Sequence, residues 1–523
     1  MRNPGTGAAS EKAADRFTRR RFLAMAGAGA ATLAVPRFSW AQEQRKPNIL
    51  LIFSDDQGYA DMGCQGCQDI PTPHLDSLAA GGVRFTDGYV TAPLCSPSRA
   101  GLLTGRYQQR FGHEHNPGNS REAGLPRTET TLANRLKAVG YATGMVGKWH
   151  LGMLDEQNPV NRGFDEFYGF LHGAHSYLRP NERSGIGDPI RRGLEPVEEP
   201  EYLTDGFARE GVAFIERHKA EPFFLYLAFN AVHSPLEASA KYSDRFQHIA
   251  DPKRRTYAGM LSAMDDAVGA LLAKLQDAGI EDDTLIFFIS DNGGPTSQTT
   301  SRNDPLRGFK GQVYEGGIRV PFLVQWKGRL PRGMVYAQPV SSLDVVPTAL
   351  AAAGAEQSAE MKLDGVNLAP FVGAGNAGEP HAQLFWRMGP RRAMRRGPWK
   401  LVDNAAGAFE LYNLAEDIAE QRNLAQDKAD VYQQLMGAYA DWDAQNVEAL
   451  WLRESFAREG AARGTGAGTN LQRRFQQLDA DGDGKLSADE LGQPQLHRRL
   501  DADGDGLVTP EEARSGFANR QGR

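Results

Sequence analysis

The sequence predicts an α/β fold in which a mostly parallel central sheet lies between two layers of helices. Three continuous apolar runs, at residues 48–53, 223–229 and 284–289, are typical of strands that are buried on both faces. A helix is predicted between two of these runs, because apolar residues recur at steps of three or four from Tyr257 to Leu275. Buried strands that alternate with helices indicate a parallel sheet with both faces covered.

Chain length and composition fit this class. The chain has 523 residues, enough for one large or two medium domains with a sizeable core. Its hydrophobic content of 41% and charged content of 24% are typical of globular proteins. The net charge of −6 gives no support to nucleic acid as a partner.

The first 41 residues are typical of an export signal. A twin-arginine pattern at residues 18–23 leads into an apolar run that ends at Val35. This run is shorter than the roughly 20 residues that cross a bilayer, so no transmembrane anchor is expected. Residues 39–41 form a small-X-small cleavage site. We predict a signal peptide over 1–41, recognised by the twin-arginine export machinery, and a periplasmic or extracellular location; the alternative is a disordered basic tail.

The remaining pattern divides the chain further. More helices are predicted at residues 77–80, 131–139 and 342–353. Past residue 375 a small sheet-plus-helix subdomain is predicted from short strand candidates at 384–387, 399–402 and 409–411 and a helix at 431–442. The predicted units are a catalytic domain at 42–375, this subdomain at 376–455, a flexible Gly/Ala-rich linker at 456–469 and a calcium-binding unit at 470–517.

The C-terminal unit contains two calcium-binding loops of the EF-hand pattern. Each loop has acids at positions 1, 3 and 5, glycine at 6 and glutamate at 12, which surround Ca²⁺ with oxygen. The ligand positions are Asp479, Asp481, Asp483, Lys485, Ser487 and Glu490 in the first loop and Asp501, Asp503, Asp505, Leu507, Thr509 and Glu512 in the second. Because the loops follow closely, we expect a compact structural clip for up to two Ca²⁺ ions, against the alternative of a solvated acidic tail.

The chain has three cysteines, which is an odd number for an exported protein. Cys64 and Cys67 are two structural thiols or one small disulfide, and a lone C-x-x-C is weak evidence for zinc. Cys95 stands at the predicted start of a short apolar helix, where Pro97 suits the first turn and Ser96 and Ser98 are placed to cap free amides. The helix start favours an anion beside Cys95, although a buried structural cysteine is the plainer interpretation.

Acidic pairs follow two of the predicted buried strands. Asp55 and Asp56 end the first run, and Asp291 and Asn292 end the last one. The carboxyl ends of parallel strands share one edge of a sheet, and a hard divalent cation needs such oxygen ligands close together. Helix caps or turns are the alternative for either pair alone. The set contains no histidine, which predicts calcium rather than zinc.

These motifs resemble the type I sulfatases, a family of the alkaline-phosphatase-like superfamily. The resemblance rests on Cys95-Ser-Pro-Ser-Arg99 with the following Leu-Thr-Gly, on the two acidic pairs, and on three further motifs. The further motifs are Gly147-Lys148-Trp149-His150-Leu151-Gly152, His233 in Ala-Val-His-Ser-Pro, and Lys310 in Arg-Gly-Phe-Lys-Gly followed by Glu315-Gly-Gly-Ile-Arg-Val-Pro321. The resemblance extends from Lys46 to the middle 400s, with no departure at ten expected positions.

The resemblance implies a sulfuric ester hydrolase that releases inorganic sulfate. It implies that a formylglycine-generating enzyme converts Cys95 to formylglycine, an aldehyde whose hydrate is the nucleophile. One Ca²⁺ beside it is implied at Asp55, Asp56, Asp291 and Asn292. The implied roles of the other groups are ionisation of the nucleophile by Arg99, charge neutralisation by Lys148 and Lys310, protonation of the leaving alcohol by His233 and base catalysis by His150.

Two other functions stay open at this point. One is a phosphatase or phosphodiesterase of the same superfamily, which usually needs a second metal where this chain has Lys148 and Lys310. The other is a catalytically dead, calcium-dependent binding protein with an unmodified Cys95. A sulfated small molecule or polysaccharide is the expected substrate. Candidate pocket residues, each equally consistent with a structural role, are His113, His115, His172, His175, Arg179, Arg183, Trp386 and Arg387.

Overall fold

The computed structural model describes residues 45–118, 122–178, 188–198, 200, 202–373 and 378–451, and in the tail 475, 478–479, 481, 483–491, 497–498 and 500–513. The predicted signal peptide at 1–41 and linker at 456–469 lie outside these residues and stay predictions. Over the described ranges, no helix combines the length and apolar character needed to cross a membrane.

The strands, numbered in chain order, are β1 (Asn48–Ser54), β2 (Val83–Phe85), β3 (Gly88–Tyr89), β4 (Ala142–Lys148), β5 (Glu166–Phe170), β6 (Arg191–Arg192), β7 (Glu195–Pro196), β8 (Phe223–Ala228), β9 (Thr284–Ser290), β10 (Phe322–Gln325), β11 (Met334–Tyr336), β12 (Val340–Ser341), β13 (Leu384–Met388), β14 (Arg391–Arg396), β15 (Trp399–Asn404) and β16 (Glu410–Asn413).

The α-helices are α1 (Pro73–Gly81), α2 (Cys95–Thr104), α3 (Leu132–Ala138), α4 (Leu203–His218), α5 (Ala240–Ser243), α6 (Pro252–Asp277), α7 (Thr296–Thr299), α8 (Glu315–Ile318), α9 (Val345–Ala352), α10 (Ala369–Val372), α11 (Ala429–Asp443) and α12 (Ala488–Leu491). Short 3₁₀ turns occupy Gly63–Gln65, Gln108–Phe111, Asp155–Gln157, Pro159–Arg162, Asp244–Phe246, Ser342–Asp344 and Ala359–Met361.

The large sheet has ten strands in the order β11-β2-β10-β9-β1-β8-β4-β5-β6-β7. The five central strands β9, β1, β8, β4 and β5 are parallel, and β10 runs antiparallel beside β9. The three apolar runs of the sequence are the adjacent strands β8, β1 and β9, so the predicted mostly parallel sheet is confirmed. Their carboxyl ends, together with that of β4, meet at one edge of the sheet.

Alternate residues of β1 face two separate cores, as expected for a strand covered on both sides. Ile49, Leu51 and Phe53 belong to one core, which includes residues of α2, α3 and α9. Leu50 and Ile52 belong to the other core, which includes residues of α1, α4 and α6. The predicted two helical layers are therefore confirmed.

The C-terminal sheet contains four antiparallel strands in the order β13-β14-β15-β16, and α11 packs against it. Its residues share hydrophobic clusters with the larger part of the chain. Trp386 and Val402 pack with Tyr89 and Ile318, and Phe385 packs near Tyr107. A small sheet-plus-helix unit was predicted here, but β14 was not.

Cys64 and Cys67 are both free thiols. Cys67 Sγ lies 3.4 Å from Asp69 Oδ1, and burial raises the pKa of Cys67 to about 11. Burial likewise raises the pKa of Cys64 to about 12. Of the alternatives that the sequence left open, the structure shows two structural thiols.

A buried charge cluster joins the C-terminal sheet to α8. Lys400 Nζ lies 2.7 Å from Glu315 Oε1 and 2.8 Å from Glu420 Oε1, and all three side chains are inaccessible to solvent. The backbone N–H of Glu315 donates to Glu420 Oε2 at 2.7 Å. Burial raises the pKa of Glu420 to about 7, because one lysine serves two carboxylates.

The charge cluster predicts a pH-dependent stability. Between pH 4.5 and about 7, folded Glu420 keeps a proton that the unfolded chain has lost, so stability falls as pH rises through this window. Glu420→Gln removes this titration, and we expect its urea midpoint to fall less than that of the wild type between pH 5 and 8. Glu416→Gln, at an exposed position four residues earlier in the chain, is the control. Parallel pH profiles for wild type and Glu420→Gln would contradict the prediction.

Candidate active site

Two strand-end loops bring the acidic pairs together. Strands β1 and β9 are parallel neighbours with Ser54 opposite Ser290, so the residues that follow them emerge side by side. Asp56 adopts a left-handed backbone conformation, with φ of 61°, and its N–H donates to Asp291 Oδ1 at 3.1 Å. Asn292 Nδ2 donates to Asp56 Oδ1 at 2.7 Å. The predicted clustering of these residues is found in the structure.

Cys95 is the first residue of α2 and is 1% exposed. Its Sγ lies 3.5 Å from Asp55 Oδ1, and burial together with Asp291 raises the pKa of the thiol. The expected capping of this helix by Ser96 and Ser98 is wrong. The N-cap residue is Leu94, an apolar side chain that makes no capping bond. Ser96 is the second residue of the helix, and its hydroxyl lies 2.7 Å from His113 Nε2 and donates to the His150 carbonyl at 2.6 Å.

Arg99 joins three of the strand ends. Its guanidinium is fully buried, with Nη2 2.9 Å from Asp291 Oδ2 and 3.5 Å from Asp55 Oδ2. The Nη1 group of Arg99 donates to the Lys148 carbonyl at 2.9 Å. Burial opposes the charged form, but Tyr226 and the two aspartates outweigh it and raise the pKa of Arg99. Arg99 therefore stays charged.

Two lysines neutralise one carboxylate each. Lys148, the last residue of β4, is fully buried and pairs with Asp55 Oδ2. Lys310 Nζ lies 2.7 Å from Asp56 Oδ1 and 2.8 Å from Asp56 Oδ2. Burial opposes the charge on Lys310, yet Asp56 overrides it and raises the pKa of Lys310. Both ammonium groups therefore lie against the acidic cluster.

The two histidines differ in their contacts. His233, which follows β8, places Nε2 3.6 Å from Asp56 Oδ2 and engages the Ser234 carbonyl through Nδ1. His150 has a left-handed backbone with φ of 56°, and a Cβ on Gly173 would lie 2.5 Å from its Nε2. Burial and the nearby Lys148 charge lower the pKa of His150, and burial and the nearby Lys310 charge lower the pKa of His233. Burial and the nearby lysines therefore favour the neutral form of both rings, whereas Asp56 and Asp55 oppose this at His233.

The residues fit a hard cation. Asn292 Oδ1 is a buried acceptor with no hydrogen-bond partner among the described residues. Ligand atoms of Asp55, Asp56, Cys95 and His233 all lie within 4.8 Å of one another. Burial and the nearby Asp55 raise the pKa of Asp291, which is the repulsion that a divalent ion relieves. That group of four includes a thiol and an imidazole, whereas the predicted ligands Asp55, Asp56, Asp291 and Asn292 offer three carboxylates and one amide oxygen, the donors that calcium prefers.

The tail brings its acids into two further groups. Ligand atoms of the three acids Asp479, Asp481 and Asp483 lie within 4.8 Å of one another, and so do those of the second group, Asp501, Asp503 and Glu512. The loops are paired by hydrogen bonds of 2.9 Å in both directions between Leu486 and Val508. The pairing fits the predicted compact clip. Lys485, Ser487, Glu490, Asp505, Leu507 and Thr509 occupy the remaining ligand positions of these loops.

Sequence reasoning missed two residues that support the site. Asn116 Oδ1 accepts the Ser96 N–H at 3.0 Å and so caps α2 from a distant loop. Tyr177 OH donates to the His233 carbonyl at 2.8 Å. Of the candidate pocket residues, Trp386 is a core residue that donates to the Val90 carbonyl at 2.6 Å, and Arg179 and Arg183 lie outside the described residues. No local sequence signal identified Asn116 or Tyr177.

Fold and site together define an α/β enzyme that acts on an anionic ester. Comparison with known proteins gives the family. Residues 47–355 match the family described as Sulfatase, 309–441 match "N-sulphoglucosamine sulphohydrolase, C-terminal", and 471–493 match EF hand. The chain therefore belongs to the sulfatase family, as its motifs suggested.

Individual relatives agree with this assignment. The chain is 38% identical over 370 residues to arylsulfatase A of Homo sapiens, covering 65% of this chain and 70% of that one. It is 36% identical over 352 residues to N-acetylgalactosamine-6-sulfatase of Sus scrofa, covering 62% and 66%. The crystal structure of Ps i-CgsB in complex with k-i-k-neocarrahexaose superposes with a TM-score of 0.76 at 35% identity, covering 82% of this chain and 99% of that one.

Proposed function

We propose that this sulfatase releases inorganic sulfate from a sulfated carbohydrate, with formylglycine made from Cys95 as its nucleophile. The observation that carries the proposal is the position of Cys95. It lies at the N-terminus of α2 against Asp55, inside a cluster where three fixed cations surround the carboxylates. Those cations are Arg99, Lys148 and Lys310.

The proposed roles follow from charge and position. Asp55, Asp56, Asp291 and Asn292 would hold a Ca²⁺ ion, which supplies Lewis-acid charge that favours an ionised hydroxyl. Formylglycine supplies a hydrated aldehyde with two hydroxyls. Because Lys148 and Lys310 are held in place before substrate arrives, they stabilise the sulfate oxygens without reorganisation.

Proton transfer falls to the histidines. His150 is held neutral by burial and by Lys148, so it is suited to accept a proton. His233 engages the Ser234 carbonyl through Nδ1, and a carbonyl only accepts, so the proton of the neutral ring is on Nδ1. Donation to a leaving alcohol from Nε2 therefore requires protonated His233.

Relatives support the substrate class. The solved relative Ps i-CgsB is described in complex with k-i-k-neocarrahexaose, and a curated relative is an N-acetylgalactosamine-6-sulfatase. Both names refer to carbohydrate. We propose a sulfated saccharide as the substrate of this chain, and export as the route by which the enzyme meets it.

Two measurements test the proposal. The first is the mass of the tryptic peptide Phe85–Arg99 from protein made in its own host, where the mass of the aldehyde or its hydrate is expected. The second compares sulfate and phosphate esters of one chromogenic phenol, and faster sulfate hydrolysis is expected. Unmodified Cys95 would support the dead binding protein, and faster phosphate hydrolysis would support the phosphatase.

We further propose that the tail binds calcium independently of the active site. Asp479 Oδ1 is a buried acceptor with no hydrogen-bond partner among the described residues, as expected of an oxygen that binds a cation. Glu490→Gln with Glu512→Gln is expected to lower bound calcium per chain from three ions to one, and to leave kcat unchanged. Calcium titration and steady-state kinetics check this. A fall in kcat that parallels the lost calcium would contradict independence.

A further inference from the structure

The segment 446–451, here called the C-terminal strap, lies against the loop that follows α2. The Val447 N–H donates to the Gln109 carbonyl at 3.0 Å, and the Leu450 N–H donates to the Gly112 carbonyl at 2.8 Å. A Cβ on Gly112 would lie 2.5 Å from the Glu448 carbonyl oxygen, and the φ of Gly112 is +74°. Only glycine permits this close backbone approach.

Trp451 fixes the end of the same loop. Its indole Nε1 donates to the His115 carbonyl at 3.0 Å and to the Asn116 carbonyl at 3.2 Å. Its ring meets the His113 ring edge-on, with 4.7 Å between centroids. The buried Glu114 between them is paired with Arg387 at 2.6 Å. The C-terminal part of the chain thus contacts four consecutive residues of the loop.

The other side of this loop reaches Ser96, the neighbour of Cys95. The Ser96 N–H donates to Asn116 Oδ1 at 3.0 Å. The Ser96 hydroxyl donates its single proton to the His150 carbonyl at 2.6 Å, so towards His113 Nε2, 2.7 Å away, it only accepts. Every polar group of the Ser96 side chain and its N–H is therefore held by this loop or by His150.

We propose that the C-terminal strap is a positioning element of the active site. Trp451 holds Asn116 and His113, which in turn fix Ser96 and with it Cys95 and the backbone of His150. The N-cap residue of α2 offers no side-chain acceptor, so Asn116 supplies the bond that orients the first turn. The effect on turnover rests on the proposed sulfatase function, whereas the effect on the geometry at residue 95 does not.

The test compares Trp451→Phe with Trp442→Phe. Both variants lose an indole N–H, but Trp442 Nε1 has no hydrogen-bond partner among the described residues and its ring stacks on Phe385. One readout is kcat and KM of the matured enzyme on a chromogenic sulfate ester. The other is the rate at which iodoacetamide alkylates Cys95 in protein made without maturation, followed by the mass of peptide 85–99.

We expect Trp451→Phe to lower kcat about fivefold, the rate factor that corresponds to the ~1 kcal/mol of one helix-capping bond, with KM nearly unchanged. We expect the same variant to change the Cys95 alkylation rate, while Trp442→Phe leaves both values near wild type. Asn116→Ala is expected to reproduce the effects, and it decides the question if Trp451→Phe does not fold. Asn116→Asp keeps the acceptor and is expected to restore the wild-type alkylation rate.

Equal behaviour of Trp451→Phe and Trp442→Phe in both readouts would overturn the proposal. A change in kcat without a change in alkylation, or the reverse, would also overturn it, because the effect would then bypass Ser96. If the wild type hydrolyses no sulfate ester, the proposed function fails, and the alkylation comparison still decides whether the strap positions residue 95.

Discussion

Replacement of Cys95 by serine is expected to lower kcat for sulfate esters by a factor of about 10³ or more, while the protein stays folded. Serine is slightly smaller than cysteine, and the thiol is buried beside Asp55, so the substitution opens no large cavity. The surrounding cations keep their partners. A serine offers one hydroxyl where formylglycine hydrate offers two, so His150 has no second hydroxyl from which to take a proton.

Cys67→Ser is the matched control for this variant. Cys67 is a buried thiol that lies 3.4 Å from Asp69 and 3.8 Å from Arg254, and it contacts none of the proposed catalytic groups. Turnover of a phenyl sulfate at saturating concentration is the measurement, with thermal unfolding of each variant beside it. Cys95→Ala is expected to be equally inactive. Full activity in either Cys95 variant would exclude a nucleophile derived from this side chain.

The centre of the sheet was predictable because its strands are buried on both faces. Such strands need apolar residues at every position, and that makes them visible without any partner. Strand β4 lies in the same sheet but contains Gly144, where a Cβ would lie 2.3 Å from the Phe214 ring. The small residue is required by the packing of α4, and this requirement interrupts the apolar run. A single-sequence pattern therefore missed β4.

Strand β14 was missed for an electrostatic reason. Its sequence, Arg-Arg-Ala-Met-Arg-Arg, is typical of a solvated charged segment. In the structure Arg392 Nη2 lies 2.6 Å from Asp403 Oδ2 and Arg395 Nη1 lies 2.5 Å from Asp87 Oδ1. Asp87 is far away in sequence, so the neutralising partner that permits burial of Arg395 becomes evident only once the chain is folded.

The candidate site, like the sheets, was predictable from the sequence only in part. Residue types and motifs indicated which side chains carry charge and where strands end, so the ten predicted positions could be named. Hydrogen-bond partners could not, because Asn116 and Ser96 meet only through tertiary structure. The expected capping role of Ser96 was wrong because α2 begins at Cys95, which makes Ser96 the second residue of the helix, and its hydroxyl is engaged by His113 and the His150 carbonyl.

Lys310→Met is expected to lower kcat/KM by a factor of about 10² to 10³, which is typical when one preorganised charge-stabilising group is removed. Lys310 is on a loop rather than in the core, and its side chain is 15% exposed. The loop keeps a separate anchor, since the Gly311 N–H donates to the Pro93 carbonyl at 2.8 Å. We therefore expect the variant to fold. Lys327→Met, a partly exposed lysine paired with Glu281, is the control.

The calcium affinity of Lys310→Met shows whether its lower kcat/KM comes from the lost charge or from damage to the metal site. The Lys310 ammonium occupies both oxygens of Asp56, at 2.7 and 2.8 Å, and so competes with any cation for the same carboxylate. Without it, the carboxylate is more available and the local positive charge is lower. The variant should bind calcium at the active site as tightly as the wild type or more tightly, although it turns over slowly.

The measurement is the dependence of activity on free calcium. It is made in a Glu490→Gln, Glu512→Gln background, in which the tail no longer binds calcium. Lys310→Arg keeps the charge on a longer side chain and is expected to retain more activity than Lys310→Met. If excess calcium restored full activity to Lys310→Met, the role of Lys310 would be to hold the metal site together. If instead the activity of Lys310→Met stays low at every calcium concentration, the metal site is intact and the chemical step is still slow. The role of Lys310 is then to stabilise the charge of the sulfate.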